Sequence, residues 1–220
     1  MKNKVVQLEE AVSMINDGAS LMVGGFLSVG APLAIIDAVL EKGVRDLTLI
    51  ANDTSITGLG ISKLIAAKLV RKVIVSHIGT NPETGKQMME GTLEVELVPQ
   101  GSLAEMIRAA GAGLGGVLTP TGIGTETAEG KRIITVGEKD YLLELPVRAD
   151  FALLGGTAAD TFGNVFYSKT TRNFNPLMAT AADTVIVEAE KIVERGELDP
   201  NHVITPGIFV DYIVRSNSNG

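Results

Sequence analysis

The chain has 220 residues, 45% of them hydrophobic and 20% charged, enough to bury one sizeable core in a single domain spanning residues 1–220. Nineteen Lys and Arg face 26 Asp and Glu, and the formal charge of −7 excludes a general nucleic-acid binder, which needs a basic face to neutralise phosphates. With no cysteine and only two histidines, His77 and His202, the sequence excludes disulfides, thiolate metal sites and thiol nucleophiles. Met1–Glu10 starts basic but has no apolar stretch behind it, so no secretory signal is expected. The uncharged window Ala19–Ile36 approaches the length of a membrane span but is broken by Gly24, Gly25, Gly30 and Pro32. The expectation is a soluble, cytoplasmic protein with no membrane partner.

Leu8, Ala11, Val12 and Ile15 recur at helical spacing over Gln7–Asn16, and Asp17-Gly18 ends that helix. Ser20–Val23 is a short apolar run, the pattern of a strand covered on both faces. Pro32 suits the first turn of a helix running to Lys42, where Gly43 stops it. A strand over Leu47–Ala51, a helix over Ile61–Leu69 and strands over Lys72–Ser76 and Leu93–Val98 follow. Ser102 and Glu105 have the spacing of a capping box and predict a helix from Ser102 to about Ala110. Such alternation predicts an α/β fold, a mostly parallel open sheet flanked by helices. Thr119–Tyr141 is rich in Gly and Thr, and strand patterns at Arg132–Val136 and Tyr141–Glu144 predict a small β-rich insertion around residues 119–145. The parallel rhythm resumes with a strand at Asp150–Leu154, a helix around Pro176–Ala182 and a strand at Thr184–Val187. The polar end Ser216–Gly220 reads as frayed.

In an open parallel sheet, ligands bind beyond the carboxyl ends of the strands. Here those ends run into Gly24–Gly30, Asn52-Asp53-Thr54, His77–Pro82 and Pro99-Gln100-Gly101. Any one of these loops is explained by the general polarity of turns, but four in succession point to a ligand site. Paired glycines after the first strand allow close backbone approach and can turn N–H groups toward an anion. The helix starting at Pro32 adds a positive dipole end, so a phosphate would be stabilised there. The loop lacks the Lys-Ser/Thr ending of an ATP-binding loop, and Phe26 stands where a hydrolase nucleophile elbow needs glycine. Gly111, Gly113 and Gly116 match a dinucleotide-binding pattern, but they follow a helix and precede none, so a helix end and a loop describe them better.

Among titratable groups, Glu105 is assigned to the capping box and Glu83 to an exposed Pro-Glu-Thr-Gly turn. Asp53 either caps its own loop or lines the site, and His77 is either a ligand contact or a structural histidine. No two of these groups pair as nucleophile and base. The residues describe a binding site without a reactive centre of its own.

Asp17-Gly18, the apolar strand, Gly24-Gly25-Phe26 and Gly30-Ala31-Pro32 together resemble the first signature of the family I coenzyme A transferases. The resemblance continues through Ile50–Thr54, Ser76–Pro82, Val98–Gly101, Arg108–Gly116 and Arg172–Pro176. Within that family the chain resembles the alpha subunits of bacterial acetate or butyrate–acetoacetate enzymes. The resemblance implies a beta-subunit partner, an α2β2 assembly and a catalytic Glu in a Ser-Glu-Asn-Gly motif of that partner, a motif this chain lacks. It also implies coenzyme A and acyl-CoA as substrates, with short-chain carboxylic acids as co-substrates and no tightly bound cofactor. Residue by residue, it carries over Gly24, Gly25, Phe26, Leu27, Ser28, Val29 and Gly30 as the segment that binds coenzyme A. It carries over Gln100 as the glutamine that helps stabilise an oxyanion. Asn52, Asp53, His77 and Gly79 are expected to line the site. A succinyl-CoA:3-oxoacid enzyme, a sugar-phosphate isomerase or deaminase on the same fold, and a non-catalytic scaffold are the competing readings.

Overall fold

The structure, a computed structural model, describes residues 3–216. The chain opens with α1 (Leu8–Ser13), β1 (Ser20–Val23), α2 (Leu33–Lys42), β2 (Leu47–Ile50), α3 (Ser62–Ala66) and β3 (Val70–Val75). It continues through α4 (Pro82–Met89), β4 (Glu94–Leu97) and α5 (Gln100–Gly111). Then come β5 (Val117–Thr119), β6 (Ile133–Val136), β7 (Lys139–Glu144), β8 (Ala149–Asp160) and β9 (Val165–Phe166). The last elements are α6 (Asn175–Met178), β10 (Ala182–Val193) and β11 (Tyr212–Arg215).

The main sheet runs β11-β10-β8-β1-β2-β3-β4, every neighbour parallel, and only β9 joins antiparallel, on β8. From β1 the chain steps outward to β4, then returns to the other side of β1 with β8. That reversal makes the junction of β1 and β8 the topological switch point, where open α/β sheets leave a crevice at their carboxyl edge.

Successive strand residues face opposite sides, and both sides are covered. Leu21, Val23, Leu49, Val73 and Leu153 pack with Ile35, Ile36 and Leu64 on one face. Met22, Ile50, Ala152 and Leu154 pack with Leu103, Ile107 and Met178 on the other. This two-sided burial is why the strands read as continuous apolar runs. Residues 117–144 form a separate antiparallel sheet, order β5-β7-β6, where the sequence predicts a β-rich insertion.

Several expectations need correction. The Ser102–Glu105 capping box does not form. Pro99, with φ −51° and ψ 133°, starts α5 two residues earlier, at Gln100. Ser102 Oγ is buried without a hydrogen bond, and Glu105 instead pairs with Arg108 at 2.7 Å. Glu83 lies not in an exposed turn but in the first turn of α4, half-buried, where its carboxylate accepts from Gln87 Nε2 at 2.8 Å. Strands β8 and β10 each run 12 residues and pair along most of their length, far beyond the short runs predicted. Strands β9 and β11 have no counterpart in the sequence reading, and the helices at α3 and α6 are shorter than predicted. Gly111 closes α5, and Gly113 (φ +67°) turns the chain away, as a helix end requires. The polar end beyond Ser216 lies outside the described residues.

Candidate functional site

The carboxyl ends of β1, β2, β3 and β4 meet at an open cleft of about 380 Å³, lined by Phe26, Leu27, Asn52, Asp53, Ser76, His77, Thr80 and Gln100. The fold therefore brings together Phe26, Leu27, Asn52, Asp53, His77 and Gln100, which are scattered over 75 positions of sequence.

The loop after β1 is a tight turn held from within. Phe26 and Val29 exchange backbone hydrogen bonds of 3.1 and 2.9 Å, and the two residues between them, Leu27 (φ +48°) and Ser28 (φ +69°), both sit in the left-handed region. Paired positive φ values define the turn type that glycine and asparagine usually fill. Here the neighbouring loop holds them instead. Leu27 N donates to Asp53 Oδ2 at 2.9 Å, and the Ser28 and Ser55 hydroxyls touch.

The glycines of this loop serve the protein's own packing. A Cβ on Gly24 would lie 1.8 Å from Asn175 Oδ1, and one on Gly25 (φ +122°) would lie 2.9 Å from Ala31 Cβ. A Cβ on Gly30 would meet the Thr171 carbonyl oxygen at 2.5 Å. Gly24 N donates to Leu153 O and Gly25 N to Asn173 Oδ1, both at 3.0 Å. The expectation that these paired amides face an anion is thereby corrected. So is the phosphate at the start of α2. Ala34 N and Ile35 N donate to the buried Glu188 carboxylate at 2.8 and 3.1 Å, so a side chain already fills that positive end. Burial pushes the Glu188 carboxyl above its ordinary range, against the lowering effect of the Ser216 hydroxyl and the two amides.

Gln100 is the first residue of α5 and is exposed at the cleft. Its Nε2 donates to Asn52 Oδ1 at 2.6 Å. Asn52 and Asp53 are both buried at the end of β2, and Asp53 accepts from Asn52 Nδ2 at 2.7 Å and from Ser55 N at 2.7 Å. His77 is exposed, its imidazole makes no hydrogen bond among the described residues, and Gly79 passes so close beneath that a Cβ there would come within 2.9 Å of the ring. Beside the cleft, Phe26 and Val29, each nearly half exposed, border an apolar depression of about 480 Å³ with Thr170 and Asn173.

Sequence reasoning missed Asn173, Asn175 and Glu188 as supports of this site. Asn175 is fully buried and donates to Gly30 O at 3.0 Å and Thr171 O at 2.8 Å while accepting from Gly155 N. The Asn-Phe-Asn-Pro cluster at 173–176 was the available signal, but contacts across some 145 residues leave no local periodicity to read.

These parts define an open parallel α/β domain whose strand ends present an amide donor in a cleft and, among the described residues, no hydrogen-bonded pair of nucleophile and base. The coenzyme A transferase family model matches residues 5–216, and the chain belongs to that family. It is 53% identical over 219 residues to the acetate CoA-transferase subunit alpha of Escherichia coli K12, covering 100% of both chains. It is 49% identical over 215 residues to the acetoacetyl-CoA:acetate/butyrate CoA transferase alpha subunit of Clostridium acetobutylicum, covering 98% of this chain and 99% of that one. The fold is also that of an E. coli O157:H7 acyl-CoA transferase solved as a thioester complex with CoA, with a TM-score of 0.85 and 24% identity. All of this chain aligns there, and it spans about half, 48%, of that longer chain. Among the described residues, no helix is long and apolar enough to cross a membrane.

Proposed function

We propose that this chain is the alpha subunit of a short-chain acyl-CoA:carboxylate CoA-transferase of the acetate, butyrate and acetoacetate class. The observation that carries the reading is end-to-end similarity to alpha subunits of that class, joined to a cleft that presents an amide donor and whose one carboxylate, Asp53, is buried and held by Leu27 N, Asn52 Nδ2 and Ser55 N. Residues 1–220 then form one alpha-subunit domain working with a beta subunit, as an α2β2 assembly in the cytoplasm.

In this reading a glutamate of the beta subunit attacks the thioester carbonyl of acyl-CoA. The C–S bond breaks, coenzyme A leaves as a thiolate, and an acyl-glutamyl anhydride forms. The thiolate then attacks the glutamyl carbonyl, the acid departs, and a glutamyl-CoA thioester remains. An acceptor carboxylate reverses the sequence and leaves as the new acyl-CoA. Each carbonyl attack places negative charge on oxygen, and the Gln100 amide N–H stabilises that charge more than the neutral carbonyl before it. Gly24–Gly30 serves coenzyme A through the outer surface of its turn, at Phe26, Leu27 and Val29, with the glycines as packing elements beneath. Asn52, Asp53, His77 and Gly79 complete the wall of the cleft.

The test is acetyl-CoA plus butyrate exchange with the chain alone and with its co-expressed beta partner. The reading predicts turnover only in the complex. Robust turnover by the single chain would refute it, and faster turnover with succinyl-CoA than with acetyl-CoA would move it to the 3-oxoacid class.

A further inference from the structure

The second residue shell behind Gln100 carries an inference that rests on the reading of Gln100 as the donor. Among the described residues, every hydrogen bond at the Asp53 side chain is one its carboxylate accepts: Oδ2 takes Leu27 N at 2.9 Å and Asn52 Nδ2 at 2.7 Å, and Oδ1 takes Ser55 N at 2.7 Å. An acceptor-only group dictates the sense of a neighbouring amide, because only the NH₂ side can face it. Asn52 therefore turns its nitrogen to Asp53 and its Oδ1 toward the cleft. That oxygen accepts from Gln100 Nε2 at 2.6 Å, with the Ser76 hydroxyl near its other flank at 3.4 Å. Gln100 in turn must present nitrogen, since its own oxygen would repel Asn52 Oδ1. One hydrogen of Nε2 is used in that contact, and the second remains for the cleft.

We propose that Asp53 and Asn52 are positioning residues for Gln100. A buried carboxylate fixes the sense of one amide, that amide fixes the next, and the last presents N–H rather than carbonyl oxygen to the reacting centre. The same Asp53 oxygen clamps Leu27 N in the turn after β1. One carboxylate thus sets both the donor and the neighbouring loop, and the two rims of the cleft keep their spacing. An exposed glutamine with two near-equivalent ends would otherwise present donor or acceptor indifferently. Burial of Asn52 and Asp53, at 2% and 5% exposure, keeps water from substituting for either partner.

The test uses the reconstituted complex with the variants Asp53→Asn and Asn52→Ala, each in wild-type and Gln100→Ala backgrounds. Asn52→Ala leaves both Asp53–backbone bonds in place, so it still decides the matter if Asp53→Asn fails to fold. In the wild-type background each variant should lower kcat by roughly ten- to a hundredfold, the scale of a misplaced reacting group, with KM for acetyl-CoA within about threefold. In the Gln100→Ala background Asn52→Ala should lower kcat by no more than about twofold, and Asp53→Asn by several-fold less than in the wild-type background, the remainder being its hold on Leu27 N, because residues that act as a unit are non-additive. Full multiplicative losses in both backgrounds would overturn the proposal and leave Asp53 a plain loop clamp. Crystal structures of the variant complexes separate this from a failure of the donor reading. Gln100 adopting a new rotamer in both variants supports the positional link. If Gln100→Ala is then silent, only the donor role of Gln100 falls. Gln100 unmoved in both variants overturns the link whatever the kinetics.

Discussion

The loop after β1 and the loop after β4 both end parallel strands at the same cleft, yet they treat their polar groups in opposite ways. Gly24–Gly30 turns its amides inward, to Leu153, Asn173, Asp53 and its own turn. Pro99-Gln100 starts a helix directly and leaves an amide side chain at the surface with one N–H uncommitted. Glycine richness thus marks where the loop backbone is closely packed by the rest of the protein, by Asn175, Ala31 and Thr171. The chemistry proposed for this chain falls on the less conspicuous residue, an exposed glutamine anchored by buried partners.

That contrast predicts its largest effect at Gln100. Gln100→Ala should lower kcat on the order of 10²–10³-fold, about 3–4 kcal/mol, with KM and assembly much less changed, as measured by steady-state exchange in the complex. A kcat within about twofold of wild type would transfer the donor role elsewhere. At Gly25 the order reverses, and stability should fall before function. Gly25→Val forces a branched side chain into φ +122° and against Ala31, at a cost of about 1–3 kcal/mol. For a chain of this size each kcal/mol lowers Tm by roughly 2–4 °C, which differential scanning would read. An unchanged Tm with raised KM for acetyl-CoA would show that this glycine faces the ligand after all.

A smaller effect is expected at Phe26, which borders both the cleft and the apolar depression. Phe26→Ala should raise KM for acyl-CoA several-fold while leaving Tm within about 2 °C, since the exposed ring contributes little to the core. A large fall in Tm with unchanged KM would make it a packing residue.

The smallest effect concerns Glu188. Its carboxyl is raised, mainly by burial, so the folded state holds its proton more tightly than the unfolded state does. Stability from this group is therefore fully present below the ordinary carboxylate range and lost as pH rises through the raised value. Glu188→Gln keeps one oxygen for Ala34 N and Ile35 N and removes the buried charge. Its Tm should gain on wild type as pH rises across that window and match it at lower pH. A variant less stable than wild type at neutral pH would show that the charge itself holds the start of α2.

Much of this architecture was legible because the strands are buried on both faces. Ser20–Val23, Leu47–Ile50 and the strand before His77 stand out as short apolar runs, and the polar ends they empty into mark the cleft. The long pairing of β8 with β10 was not legible. Gly155 and Gly156 interrupt the apolar pattern of β8 because their backbones are approached by Gly30 and by Val165 and Val187, neighbours that only the fold supplies. The capping-box spacing misled for a local reason, since Pro99 fixes the helix start before Ser102 can act. At the site, strand-end position marked the loops that carry Asp53 and Gln100, and the family resemblance singled out Gln100 within its loop. That Asp53 reaches Gln100 through Asn52, and that Glu188 occupies the start of α2 across 154 residues, depends on side-chain geometry no spacing encodes.

The central claim is that this chain supplies the donor and its partner supplies the nucleophile. The direct measurement is peptide mass spectrometry on the reconstituted complex after acetyl-CoA is added and the covalent intermediate is trapped with borohydride. The account predicts a single modified glutamate, on the beta subunit, in the wild type, and far slower formation of that adduct in Gln100→Ala. A modified carboxylate on this chain, or no adduct under turnover conditions, would contradict it.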